Sequence, residues 1–207
     1  MLNLSSPRYS TNQSCKEVWI LTGYIEIERR FLVDGREEKP WRDGSLAYEI
    51  KQYYIPEGSL SLQEEVLLMD GIALVVPSEE EVEIWAKVDR WMGRIRIRNG
   101  VYFLTCKSKM SHDSAYELEW VIDAEKGAVL LQGKAFPRVE KTRYVWNGLD
   151  GKVWEIDEFE GALAGLILAE IELEKTEEVV ALPEWVGQEI TGLSSWSNKS
   201  LANTLGS

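Results

Sequence analysis

The chain has 207 residues, of which 44% are hydrophobic, and this is enough apolar material for the core of one domain. Its formal net charge of -12 predicts an acidic surface, which argues against nucleic acids and anionic membranes as partners because both are negative. No apolar run approaches the roughly 18 residues of a membrane-spanning helix.

Residues 1–17 are polar and rich in Ser and Asn, and we expect them to be disordered. They lack the charged segment followed by an apolar segment that is typical of a secretory signal. Cys15 and Cys106 have no partners at metal-ligand spacing. We therefore expect a cytoplasmic protein with free thiols. Residues 18–207 are predicted to form a single domain.

Short β-branched and apolar runs separated by turn signals predict mainly strands in this domain. In chain order the predicted strands are residues 18–25 leading into 26–33, then 48–55, 65–69, 72–76, 94–98, 101–107, 116–123, 139–146, 152–159, 166–174 and 188–191. Residues 81–91 suit either a helix or a strand, residues 124–131 suit a short helix, and residues 198–205 suit a terminal helix or tail. Strands at this spacing predict an antiparallel sheet closed into a barrel with a few peripheral helices.

Charged residues occupy alternate positions in many of these strands, and residues i and i+2 of a strand share one face. Most of the sets carry a single sign. The same-face sets are Glu26, Glu28 and Arg30; Arg94, Arg96 and Arg98; Thr105, Lys107 and Lys109; Glu117 and Glu119; Lys141 and Arg143; Glu155 and Asp157; and Glu170, Glu172 and Glu174.

A sheet with one solvated face would also alternate polar and apolar residues. Two features favour a different interpretation. The apolar alternates, such as Ile27, Ile95 and Ile156, are bulky, and like charges on neighbouring strands of a solvated face repel one another. We therefore interpret the charges as a lining in which bases hold phosphate oxygens and acids hold Mg²⁺ or Mn²⁺.

Seven motifs in order, within residues 22–205, resemble those of the CYTH domain family, also called the triphosphate tunnel metalloenzymes. Residues 26–33 (EIERRFLV) resemble its opening ExExK signature. The later strands match as RxR (Arg96, Arg98), TxK (Thr105, Lys107), ExE (Glu117, Glu119), KxR (Lys141, Arg143) and two acidic strands (Glu155, Asp157; Glu170, Glu172), with residues 183–191 and 197–199 resembling its C-terminal stretch.

The resemblance implies an α+β fold that is mainly antiparallel β, a closed eight-stranded β-tunnel with peripheral helices. It also implies a divalent-metal-dependent triphosphatase that uses Mg²⁺ or Mn²⁺, with a triphosphate-containing small molecule as substrate. The substrate-binding residues it implies are Arg30, Arg96, Arg98, Lys107, Arg143 and Lys199. The metal-binding residues it implies are Glu26, Glu28, Glu119, Asp157, Glu170 and Glu172, and Lys141 is the implied general base.

Two features depart from the family pattern. Arg30 stands where the family has a lysine, and arginine differs from lysine in shape and hydration. Residues 57–92 form an insertion, predicted as a hairpin and helix, that could line a tunnel mouth or form a homodimer surface.

Other functions stay open at this point. The family includes thiamine triphosphatases and adenylate cyclases, and an aromatic clamp for thiamine could come from Trp85, Trp91, Trp146 or Trp154, although tryptophans more often serve packing. A non-catalytic binder of polyphosphate or nucleotide is the alternative from another functional class. Inorganic triphosphate is the expected substrate.

Overall fold

The structure, a computed structural model, describes residues 24–205. Residues 1–17 and the start of the first predicted strand lie outside this range. The strands are β1 (Ile25–Val33), β2 (Leu46–Tyr54), β3 (Leu60–Gln63), β4 (Val66–Met69), β5 (Ile72–Val75), β6 (Met92–Arg98), β7 (Val101–Lys109), β8 (Ser114–Ile122), β9 (Arg138–Asn147), β10 (Val153–Phe159), β11 (Ile167–Glu172) and β12 (Val186–Glu189). The helices are α1 (Glu79–Ala86), α2 (Ala124–Leu131) and α3 (Asn198–Leu205), and within residues 24–205 none is long and apolar enough to cross a membrane.

Eight of these strands close into an antiparallel barrel. Their order is β11-β10-β9-β2-β6-β7-β8-β1, and a further pairing of β11 with β1 completes the circle. β12 pairs with the end of β1 beyond the short segment where β1 meets β8. The predicted eight-stranded closed barrel with peripheral helices is therefore confirmed.

The outer faces of six barrel strands are largely apolar and buried. Outward-facing residues of β6, β7 and β8, among them Ile95, Leu104 and Leu118, belong to one buried cluster. Outward-facing residues of β1, β10 and β11 form a second cluster with Trp41 and half-buried Trp185. The bulky alternates seen in the sequence are thus the hydrophobic core, which leaves the inward face to the charged residues.

The insertion supplies the cover for the first cluster. It contains a three-stranded sheet, β3-β4-β5, followed by α1, so it has one strand more than the predicted hairpin. Residues 79–86 are helical because Ser78 and Glu81 form a reciprocal capping box at the helix start. Glu81 also accepts a hydrogen bond of 3.0 Å from Trp120 Nε1 on β8, which ties the insertion to the barrel wall.

One end of the barrel is closed by apolar side chains. Tyr54 and Phe159 lie at the ends of their strands, Val139 and Leu168 lie near the starts of theirs, and the four side chains pack together. α3 covers them with Leu201 and Ala202, which are buried. We call this the closed end. The opposite, open end carries Glu172, which is exposed.

The closed end yields a stability prediction. Ala202→Asp places a carboxylate among apolar side chains, and we expect the free energy of unfolding to fall by about 3 kcal/mol or more. Asn203→Asp, on the exposed side of the same helix, is the matched control and should change it by less than about 0.5 kcal/mol. Chemical denaturation of both variants measures the difference. Equal stabilities would contradict a closed end built on α3.

Candidate functional site

The inward face of the barrel brings together the charged residues predicted from the strands. Neighbouring strands place acids beside bases, and nearly every inward charge lies in an ion pair. The predicted residues brought together on these strands are Glu26, Glu28, Arg30, Arg96, Arg98, Lys107, Glu119, Lys141, Arg143, Asp157, Glu170 and Glu172. Lys199 stands apart from them, half-buried on α3.

The most deeply buried ion pairs join β9 to β10. The side chains of Lys141 and Asp157 are both 0% exposed and are bonded to each other. Arg143 binds both oxygens of Asp157, through Nε and Nη2 at 2.7 Å each. Arg143 also pairs with Glu155 and, at 2.9 Å, with Glu170. This arginine therefore connects three carboxylates.

Burial lowers the pKa of Lys141 to about 8. The charge of Asp157 opposes the shift, and the neighbouring Arg143 cation adds to it. A lysine in this position is ionised at neutral pH but close enough to its pKa to lose a proton in mildly alkaline solution.

Arg30 bridges β1 and β11. Its Nε lies 2.7 Å from Glu170 and its Nη2 lies 2.9 Å from Glu28. Burial would lower the pKa of Arg30, but these carboxylates outweigh it and raise the pKa. Nη1 also donates to the Trp196 carbonyl at 3.5 Å, in the turn that precedes α3. The planar guanidinium reaches all three groups at once, which the single ammonium of a lysine does less well.

A second group of ion pairs lies on β6, β7 and β8. Arg96 donates to Glu119 at 2.6 Å, and the Thr105 hydroxyl donates to the same carboxylate at 2.6 Å. Lys107 lies 2.6 Å from Glu117 and also pairs with Glu26 of β1. Burial would raise the pKa of Glu119, but the Arg96 and Arg94 charges lower it to about 2.

Arg94 is a site residue that the motif assignment left out. It is buried, and its guanidinium lies 3.9 Å from Glu119 and 4.0 Å from Glu117. Its Nε is buried with no hydrogen-bond partner in the described range 24–205. Arg98, which was assigned, lies further along the strand over the rings of Tyr48 at 4.9 Å and Phe103 at 5.3 Å. The three alternating arginines in the sequence made Arg94 a candidate, but only the strand register shows which two lie deep in the tunnel.

Some of the inward carboxylates carry negative charge that the neighbouring basic side chains do not fully neutralise. Glu28 and Glu172 face each other in the β1–β11 register. Burial, together with Glu26 and Glu170, raises the pKa of Glu28 despite its pairing with Arg30. Partial desolvation, with Glu26 and Glu155 nearby, raises the pKa of Glu172 to about 8. Negative charge in excess at this place is what a bound cation would relieve.

The donor chemistry of these carboxylates fits a hard divalent cation, which prefers oxygen ligands. Within residues 24–205 no three acidic, histidine or cysteine side chains already converge as a metal centre. Basic side chains hold several of these carboxylates in ion pairs, so binding a cation would exchange some of these pairs.

The four tryptophans considered as a clamp are packing residues. Trp85 and Trp91 stack on each other with ring centroids 5.2 Å apart, and both pack against the cluster under the insertion. Trp154 is fully buried, and Trp146 contacts Trp185 edge-on at 5.4 Å. All four belong to the outer clusters and not to the charged interior.

Comparisons with known proteins agree with this geometry. A family model described as the CYTH domain matches residues 86–204. An inorganic triphosphatase of Acetivibrio thermocellus is 36% identical over 109 residues, which are 52% of this chain and 69% of that protein. One of Nitrosomonas europaea is 37% identical over 111 residues, 53% of this chain and 73% of that protein. A crystal structure of an inorganic triphosphatase superposes with a TM-score of 0.52 and 30% identity, covering 86% of this chain and 93% of that chain.

The lowered pKa of Glu119 predicts a pH-dependent stability. Its folded-state pKa lies below the ordinary value, so its contribution is present above about pH 4.5 and is lost as the pH falls towards 2. Glu119→Gln should lower the free energy of unfolding at pH 7 by on the order of 2 kcal/mol, and the deficit relative to the native chain should shrink on acidification.

Urea unfolding at pH 7, 4 and 3 measures this deficit. Glu49→Gln, on the exposed outer wall of β2, is the matched control and should leave stability nearly unchanged at each pH. A deficit that stays constant with pH would show that the carboxylate charge of Glu119 is not the stabilising element.

Proposed function

The chain belongs to the CYTH domain family, and we propose that it hydrolyses a triphosphate, inorganic triphosphate above all, inside its barrel. The observation that carries the proposal is the set of buried and half-buried arginines and lysines that face one another across the interior. They are held by carboxylates that a polyanion could replace. In an acidic protein such a local concentration of cations favours a polyanionic ligand.

The basic side chains would hold the non-bridging oxygens of the triphosphate. Arg30, Arg96, Lys107 and Arg143 come from four different strands and therefore surround the ligand. We add Arg94 to this set because it is buried and more loosely paired than its neighbours. Arg98, the last residue of β6, and Lys199, on α3, would act nearer the ends of the tunnel.

The carboxylates Glu26, Glu28, Glu170 and Glu172 would hold Mg²⁺ or Mn²⁺, with Glu119 and Asp157 nearby. The raised pKa values of Glu28 and Glu172 support this assignment, because they reflect negative charge that the basic residues do not fully neutralise. Such an ion, when bound, neutralises phosphate charge and lowers the pKa of water. The chain's own contribution is to orient the phosphates and to enclose them away from bulk water.

Lys141 is proposed as the general base. It lies on β9 two residues from Arg143, on the same inward face, and its lowered pKa means that a neutral amine is accessible at modest cost. The neutral amine would accept the proton of the attacking water, while Arg143 holds the adjacent phosphate.

Phosphate release tests the proposed activity. Inorganic triphosphate, ATP and thiamine triphosphate should each be incubated with the protein and Mg²⁺ or Mn²⁺, with a metal-free sample as control. We expect the fastest release from inorganic triphosphate and none after chelation. Preference for thiamine triphosphate, or cyclic nucleotide formed from ATP, would replace the substrate assignment. Binding of triphosphate without release from any substrate would favour a non-catalytic binder.

The role of Lys141 predicts a pH profile. The neutral fraction of Lys141 rises as the pH passes through about 8, so kcat should rise between pH 7 and 9. Lys141→Arg keeps the positive charge but cannot deprotonate, and we expect kcat to fall by about 100-fold or more with loss of this rise. Steady-state assays across this range make the measurement. Near-normal rates in Lys141→Ala would rule out the base role.

A further inference from the structure

Asp157 differs from the other carboxylates that face the tunnel. It lies on β10 directly opposite Arg143 of β9, one inward position before Phe159 of the closed end. Its side chain is 0% exposed, whereas the other inward carboxylates in ion pairs retain some exposure, such as 24% for Glu28 and 21% for Glu155. Asp157 therefore sits beneath the charged lining.

Both oxygens of Asp157 accept hydrogen bonds from buried cations. Oδ1 accepts from Arg143 Nε, and Oδ2 accepts from Arg143 Nη2 and from Lys141 Nζ. The two bonds from Arg143 form the parallel fork that aligns a guanidinium with a carboxylate. A metal ion could reach these oxygens only by displacing two buried cations, each of which would lose this ion pair.

The two cations depend on this carboxylate to different degrees. Arg143 has further partners in Glu155 and Glu170. Lys141 is 0% exposed, and within residues 24–205 its ion pair is with Asp157, while its ammonium lies 5.5 Å from the ring of Phe159. The direction in which Lys141 points is thus set by Asp157.

An incoming triphosphate would compete with carboxylates for the basic side chains. The pairs of Arg143 with Glu155 and Glu170 are less enclosed, with 21% and 9% of those carboxylate side chains exposed, and can be exchanged for phosphate oxygens. The fork from Arg143 to Asp157 lies on the buried side, so it can remain while the outer pairs are replaced. Arg143 and Lys141 would then keep their orientation throughout binding.

We propose that Asp157 is a positioning residue that holds Arg143 and Lys141 from the buried side of the tunnel, and that it is not a ligand of the metal ion. This inference rests on the triphosphatase function proposed above. It separates Asp157 from the carboxylates nearer the open end, Glu28 and Glu172, whose charge is not fully paired.

Asp157→Asn tests the inference because it preserves shape while replacing one acceptor oxygen with an NH₂ donor that opposes Arg143 or Lys141. Manganese binding is measured by calorimetry without substrate, and kcat and KM are measured with inorganic triphosphate. We expect the Kd for Mn²⁺ to change by less than about threefold and kcat to fall by about 100-fold or more. Glu172→Gln, the same chemical change at the open end, is the comparison variant and should weaken Mn²⁺ binding by about tenfold or more.

A loss of Mn²⁺ affinity of about tenfold or more in Asp157→Asn would overturn the inference, as would an unchanged kcat. Should Asp157→Asn fail to fold by circular dichroism, Asp157→Glu takes its place, with the same expectations and the same contradicting outcomes.

Should the native chain prove to be a binder without activity, calorimetry with inorganic triphosphate replaces kcat. Asp157→Asn should then weaken triphosphate binding by about tenfold with Mn²⁺ binding unchanged, so the two proposals fail separately.

Discussion

Ionised side chains inside a barrel are costly unless each meets an opposite charge or a hydrogen-bond donor. The tunnel meets this constraint by placing acidic and basic strands side by side, so that Arg143 faces Asp157 and Lys107 faces Glu117 across strand pairs. The pairing does not neutralise every site equally. Where one carboxylate lies opposite another, as Glu28 lies opposite Glu172, negative charge remains in excess. The interior therefore pairs most of its charges and still keeps negative charge that the proposed cation would relieve.

The charged interior determines where the hydrophobic core can be. Because the inward positions are polar, the apolar alternates must be buried on the outside of the barrel. The structure covers them with separate pieces: the inserted sheet and α1 over β6 to β8, and the loops bearing Trp41 and Trp185 over β1, β10 and β11. The insertion thus has a structural task within the chain, whether or not it also contacts a second copy.

The closed end creates a gradient of burial along the tunnel. Near it, Lys141 and Asp157 are fully enclosed, and burial lowers the pKa of Lys141 to about 8. Near the open end, Glu172 is accessible and Arg98 packs on aromatic rings. Residues of the same chemical type consequently have different properties at different depths. The proton acceptor and the metal-binding carboxylates that we propose can both arise from this gradient without unusual residues.

The sequence by itself determined the face on which each charged residue lies, because side chains along a strand alternate with a period of two and this is a local property. That was sufficient to separate a charged lining from an apolar outer face. The spacing of the strands predicted the barrel, and the resemblance to the CYTH motifs supplied the closed eight-stranded tunnel and most residues of the candidate site. Depth along the tunnel was decided only by the tertiary structure, since it depends on the stagger between tilted strands and on which end α3 covers. For this reason three equivalent arginines in the sequence became two deep residues, Arg94 and Arg96, and one outer residue, Arg98. For the same reason Asp157, one of several alternating acids, could be distinguished from the rest only once its two buried partners were known.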